Sequence, residues 1–91
     1  IYLIGLGDAV RPTMLKILSK VRKAGFNMEF DSLRRSIKSQ MREANKIGAS
    51  LAIIIGDKEL KEKYVQIKDL KNSQQESIPI DSIISYIQSL N

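Results

Sequence analysis

The order of apolar patterns along the chain predicts an α/β fold: a five-stranded mixed sheet, mainly parallel, with an antiparallel hairpin at one edge and three or more flanking helices. Three observations carry that expectation. Strand-length apolar runs alternate with segments of helical periodicity as far as residue 55, the order expected of parallel strands with helical crossovers. Leu51–Ile55 is apolar throughout, as befits a central strand covered on both faces. Beyond it, two further strand patterns lie on either side of a short polar turn.

Taken in order, Ile1–Leu6 is a buried strand closed by the Gly5 to Gly7 punctuation and Asp8. A helix follows, with Pro12 suited to its first turn because its missing N–H and fixed φ cost nothing there. Met14, Leu15, Leu18 and Val21 mark its apolar face, and Gly25 supplies the stop. Phe26–Phe30 returns as a strand, and Asp31–Arg35 is a polar connection. Ile37, Met41, Ala44 and Ile47 then form the apolar face of a second helix ending near Gly48. Leu51–Ile55 is the middle strand. Gly56–Glu59 opens a turn, short and helical through Glu62, and Tyr64–Leu70 alternates like a half-buried strand with Val65 and Ile67 on one face. After the turn at Lys71–Ser73, Gln75–Pro79 forms an edge strand, where proline is tolerated. Asp81 or Ser82 is placed to cap a last helix bearing Ile83, Ile84, Ile87 and Leu90.

Ninety-one residues, 43% hydrophobic and 27% charged, suit one domain spanning 1–91. Ile1 in the place of an initiator methionine, entering a strand at once, suggests a piece of a longer polypeptide. The chain has no cysteine and no histidine, which removes disulfides, thiolate nucleophiles, Cys/His zinc sites and histidine-based catalytic triads. No apolar run approaches the ~20 residues of a membrane-spanning helix. The expectation is a soluble, cytoplasmic chain without membrane contact.

A net charge of +5 favours a polyanionic partner, and its distribution matters more than its total. Residues 11–23 hold five cations and no acid, whereas the C-terminal third is nearly balanced. At ~100° per residue, Arg35, Lys38, Arg42 and Lys46 fall opposite the apolar side of the second helix, where they form either a phosphate-contacting stripe or an ordinary solvated face.

Three other patterns carry possible chemistry. Gly5 and Gly7 stand between a strand and a helix, but Val10 occupies the place where a dinucleotide-binding turn needs a small residue, so the reading is a plain turn. Gly56–Glu59 lies just past the C-terminal end of the central strand, the usual ligand side of an open α/β sheet. There Glu59 is either an acceptor for a base amine or a surface carboxylate beside Lys58, Lys61 and Lys63. Asp57, Glu59 and Glu62 alternate with lysines and read as surface charge rather than a metal site. Of the five aromatics, Tyr64 is the one placed to stack on a splayed-out base.

The segments Lys38–Arg42, Glu43–Ala49, Leu51–Glu59 and Val65–Leu70, in that order and spacing, resemble the anticodon-binding domain of the class IIa aminoacyl-tRNA synthetases, most nearly the histidyl branch. The resemblance covers the whole chain and implies the five-stranded mixed sheet already derived. It also implies recognition of a tRNA anticodon stem-loop, that of histidine tRNA, by a non-catalytic module. Aminoacylation would belong to a separate catalytic domain of a parent histidine–tRNA ligase, a homodimer using ATP and magnesium, with no cofactor in this domain. By the same resemblance Glu59 corresponds to a base-reading carboxylate, Lys68 and Arg42 to basic anticodon contacts, and Arg34, Arg35 and Lys38 to supporting phosphate contacts. The threonyl, prolyl and glycyl branches carry a similar glycine-to-glutamate turn, and a regulatory or interaction domain on the same fold is the other alternative.

Overall fold

The computed structural model describes residues 1–30 and 36–90, and the connection expected at 31–35 lies outside them. Five strands form one sheet: β1 (Tyr2–Gly5), β2 (Glu29–Phe30), β3 (Leu51–Ile55), β4 (Tyr64–Asp69) and β5 (Gln74–Pro79), in the spatial order β2-β1-β3-β4-β5. The helices are α1 (Arg11–Lys23), α2 (Ile37–Lys46), α3 (Asp57–Glu62) and α4 (Ile83–Ser89), with 3₁₀ turns at Asp8–Val10 and Ile80–Ser82. β1 pairs in parallel with both β2 and β3, whereas β3–β4 and β4–β5 are antiparallel. The five-stranded mixed sheet and its edge hairpin are therefore as expected, with β3 in the middle, but the sheet is not mainly parallel: two pairings are parallel and two antiparallel, and the short β2 makes the parallel part the smaller.

The sheet is covered unequally. On one face Leu3, Ile53, Ile55, Val65 and Ile67 pack with Met14, Ile17, Leu18 and Val21 of α1 and with Ile83 and Ile87 of α4. The opposite face holds a smaller cluster, Tyr2, Ile4 and Ala52 under Ala44 of α2, flanked by Met41, Ile54 and Leu70. α1 and α2 end alike. Gly25 and Gly48 take positive φ; their own N–H groups donate to the carbonyls of Arg22 and Asn45, and those of Phe26 and Ala49 to Val21 and Ala44, the five-to-two and six-to-one bonds of a Schellman cap. α2 begins with Ser36, whose Oγ accepts from the Ser39 N–H at 3.2 Å.

Several expectations need correction. Leu15, assigned to the buried side of α1, is 50% exposed, and Ile17 takes its place, because the buried stripe runs through 10, 14, 17, 18 and 21 once the preceding 3₁₀ turn has set the helix phase. Ile47 and Leu90 are also half exposed, since each lies past the last full turn of its helix. β2 keeps only two residues of the expected 26–30, because the Met28 carbonyl accepts from Nε and a terminal nitrogen of Arg22 at 3.2 and 2.9 Å instead of from a strand. Neither Asp81 nor Ser82 caps α4 with its side chain, because the 3₁₀ turn runs straight into the helix. The Tyr86 phenol of α4 has its pKa raised, first by hydrogen bonding to Glu76 of β5 and then by burial.

The short β2 leaves the outer edge of β1 open at Gly5, and Gln40 closes it. Its Oε1 accepts from the Gly5 N–H at 3.3 Å and its Nε2 donates to the Gly5 carbonyl at 3.0 Å, so one primary amide replaces a missing strand residue. Gln40 is 1% exposed, the one polar residue fully inside the fold among those described. Gln40→Met keeps the length but strands two part-buried backbone groups of Gly5. It is expected to cost about 2–4 kcal/mol in chemical unfolding, against less than about 0.5 for the exposed Lys46→Gln.

Candidate nucleic-acid interface

Among the described residues, α2 covers β1 and β3 but not the hairpin, which leaves the second face of the sheet open over β4 and β5. Alternation puts Tyr64, Gln66 and Lys68 on that open face, opposite the core positions Val65 and Ile67. Cross-strand pairing sets Pro79, Ser77 and Gln75 of β5 beside them, and Ile54 and Ala52 of β3 on the other side. The result is a platform with a polar floor along β4, about 6.8 Å between successive side chains.

At one end of this row stands α3. Glu59, in its third position, reaches back so that Oε1 accepts from the Gly56 N–H at 2.8 Å, and Oε2 lies 3.4 Å from the Tyr64 hydroxyl that donates to it. Gly56 has no side chain to reciprocate, so this is half of a capping box. A Cβ on Gly56 would come within 3.0 Å of Glu59 Oε1, and glycine is what lets the carboxylate approach. One lone pair set of Glu59 is thus engaged in starting the helix, while the half-buried carboxylate remains at the rim of the platform.

The Gly5–Gly7 turn lies next to α3 and is unsuited to a phosphate. An Asp57 carboxylate oxygen stands 3.2 Å from where a Cβ on Gly7 would be, so an anion cradled there would meet a negative charge.

The cations come from the other border. Met41 packs against the cluster containing Ile54 and Leu70, and Gln40 points to the far edge of β1, so the helix turns its 41 side to the hairpin. Lys38 and Arg42 lie within about 100° of Met41 around the helix, beside the platform, and both are exposed. Lys46 is exposed farther round. Lys68, half-buried, rises from β4 opposite Ala52, the β3 residue that α2 covers. Glu59, Tyr64 and Lys68 therefore share one face with Lys38 and Arg42 at its border, and Arg34 and Arg35 lie outside the described residues.

Sequence reasoning missed three polar groups. Gln66 Oε1 accepts from Gln75 Nε2 at 3.2 Å and from Ser77 Oγ at 3.1 Å, a network that exists only once the β4–β5 register is known. Asp69 builds the turn of the hairpin: Oδ1 accepts from the N–H groups of Lys71 and Asn72, and Oδ2 from the Asn72 side chain. Gln40 is the third. Of these, only Asp69 had a local signal, an acid two and three residues before turn N–H groups.

An open sheet face bordered by cations is a surface many folds could own, and comparison with known proteins narrows it. The model of the family described as "Anticodon binding domain" matches residues 1–90. This chain belongs to the anticodon-binding domain family. Among relatives of this anticodon-binding domain, the histidine–tRNA ligase of Pelotomaculum thermopropionicum is 38% identical over 88 residues, 97% of this chain and 21% of that protein. The apo histidyl-tRNA synthetase of Staphylococcus aureus superimposes with a TM-score of 0.87 at 32% identity, over 93% of this chain and 25% of that one. The RNA binding domain of threonyl-tRNA synthetase from Cryptosporidium parvum gives a TM-score of 0.88 over 99% of this chain and 23% of that one, at 18% identity, a likeness of fold alone. The chain spans about a fifth of the length of the curated relatives it matches.

Asp69 offers a direct check on the hairpin of this anticodon-binding domain. Its pKa is lowered, first by the Asn72 backbone N–H and then by the Asn72 side chain. A depressed folded pKa means that the turn contributes fully above the unfolded aspartate value and loses its contribution as pH falls through the folded one. The Asp69 carboxyl carbon, followed by NMR, is expected to titrate below its value in the unfolded chain, and Asn72→Ala to move it part of the way back.

Proposed function

We propose that this domain holds the anticodon loop of a tRNA, that of histidine tRNA, as a module of a histidyl-tRNA synthetase. The observation that carries the proposal is the uncovered β4–β5 face, with a carboxylate at its end and the cations of α2 along its border, in a chain of the anticodon-binding family. Single-stranded loops expose base edges and base faces to such a surface. Glu59 accepts from a base amine through the lone pairs that Gly56 leaves free, and the Tyr64 ring offers a face for stacking while its hydroxyl steadies Glu59. Lys68 and Arg42 contact the loop, and Lys38, with Arg34 and Arg35, neutralises phosphates.

In the same reading, attachment of histidine with ATP and magnesium belongs to a separate catalytic domain of a cytoplasmic, homodimeric parent. The carboxylate beside Gly7 supports leaving nucleotide binding to that other domain.

The test is a titration, at one moderate salt concentration, with stem-loops bearing the histidine anticodon GUG and the anticodons of threonine and proline. Preference for GUG is expected. Preference for another anticodon reassigns the parent enzyme, and equal binding to all removes anticodon recognition from this surface. Glu59→Gln keeps an oxygen for the Gly56 N–H, so it is expected to lower the preference for GUG while leaving thermal unfolding nearly unchanged. Equal losses on matched and swapped anticodons would count against the role given to Glu59. Arg42→Ala is expected to weaken every stem-loop alike and to reduce the slope of log K against log salt by about 0.7.

A further inference from the structure

Gln66 stands at the centre of the open face, half-buried, with Ile54 on one side and Ser77 on the other. A side-chain amide on a sheet surface is ordinarily free to present either its oxygen or its nitrogen, because the two ends have the same shape. Here the neighbouring strand engages one end of it. The Ser77 hydroxyl and the Gln75 amide both donate to Gln66 Oε1, which fills both of its lone pairs and turns Oε1 toward β5. Nε2, the other end of the amide, carries two N–H donors. Two bonds from an adjacent strand restrain the group, and a donor held beforehand discriminates better than one that must be ordered on binding.

Adjacent positions along β4 differ in kind. Glu59, held by Tyr64 at the end of the row, presents an acceptor, Gln66 presents donors, and Lys68 presents a charge. We infer that Gln66 is a specificity-determining residue whose Nε2 donates to the keto oxygen of an anticodon base, selecting guanine or uracil over adenine or cytosine at one position next to the base met by Glu59. This inference rests on the anticodon reading given above and deepens it. The chemistry of the choice is simple: guanine and uracil carry a keto oxygen where adenine and cytosine carry an amine, and an amine would set donor against donor. All three bases of GUG are of the keto kind, so such a donor is compatible with each position of that anticodon.

Four stem-loops distinguish the possibilities: GUG, and three in which one base at a time is exchanged for its amino counterpart, G to A or U to C. The native chain is expected to lose roughly tenfold affinity at the position facing Gln66. In Gln66→Glu one oxygen still accepts from Gln75 and Ser77, but the free end becomes an acceptor, so the penalty at that one position should vanish or reverse while the other two persist. Ser77→Ala leaves Gln66 in place but frees a lone pair and with it the orientation of the amide; the penalty at the same position is expected to shrink, and no other to change. Thermal unfolding of both variants close to that of the native chain separates these effects from misfolding. Gln66→Glu retaining all three penalties would overturn the inference and leave anticodon recognition standing. A native chain that binds all four stem-loops equally would overturn both.

Discussion

The burial of β3 on both faces is the constraint from which the rest of the molecule follows. Leu51, Ile53 and Ile55 face α1 and α4, while Ala52 faces α2. Small Ala52 and Ala44 let α2 lie close on the sheet, and the isoleucines fill the larger space on the other side. β3 is also where the sheet changes direction, parallel to β1 and antiparallel to β4. A strand paired on both edges and covered on both faces has no freedom of register, so the hairpin beyond it inherits a fixed position. With two helices on one face and one on the other, the uncovered area has to fall on the hairpin.

How much of this was legible in the sequence depends on the range of the interaction. Strands and helices were readable from period and punctuation, because alternation at 65 and 67, the run at 51–55, and the glycines at 25 and 48 act over a few residues. The two-residue β2 was not, since its length is decided by the guanidinium of Arg22 taking the Met28 carbonyl. Nor was the phase of α1, where one 3₁₀ turn exchanged Leu15 for Ile17. Gln40 is the clearest case. A glutamine within a polar helix has no signature in the sequence, and its burial follows only from a gap at the edge of β1, thirty-five residues away. For the candidate site, the turn at Gly56–Glu59 and the cations of α2 were visible as residue types in a suggestive order. The amide network around Gln66 required the antiparallel register, which no local pattern encodes.

The parts of the site divide between two kinds of support. The carboxylate and amide groups are held by hydrogen bonds to neighbouring elements, Glu59 by Gly56 and Gln66 by Gln75 and Ser77. Lys38 and Arg42 are long exposed chains on a helix. That contrast suits their proposed tasks, because hydrogen-bond discrimination needs fixed geometry, whereas attraction of phosphates depends on charge density and tolerates motion.

The half capping box at Gly56 makes one residue serve two masters. Since glycine there contributes no side-chain oxygen, the carboxylate of Glu59 is the one side-chain bond at the opening turn of α3, beside the backbone bond from the Leu60 N–H to the Gly56 carbonyl. A ligand that draws on the same carboxylate would therefore draw on the start of the helix, and with it on the crossing from β3 to β4. Affinity at Glu59 and order in α3 then share a single reservoir, so this position has little room to strengthen one without loosening the other.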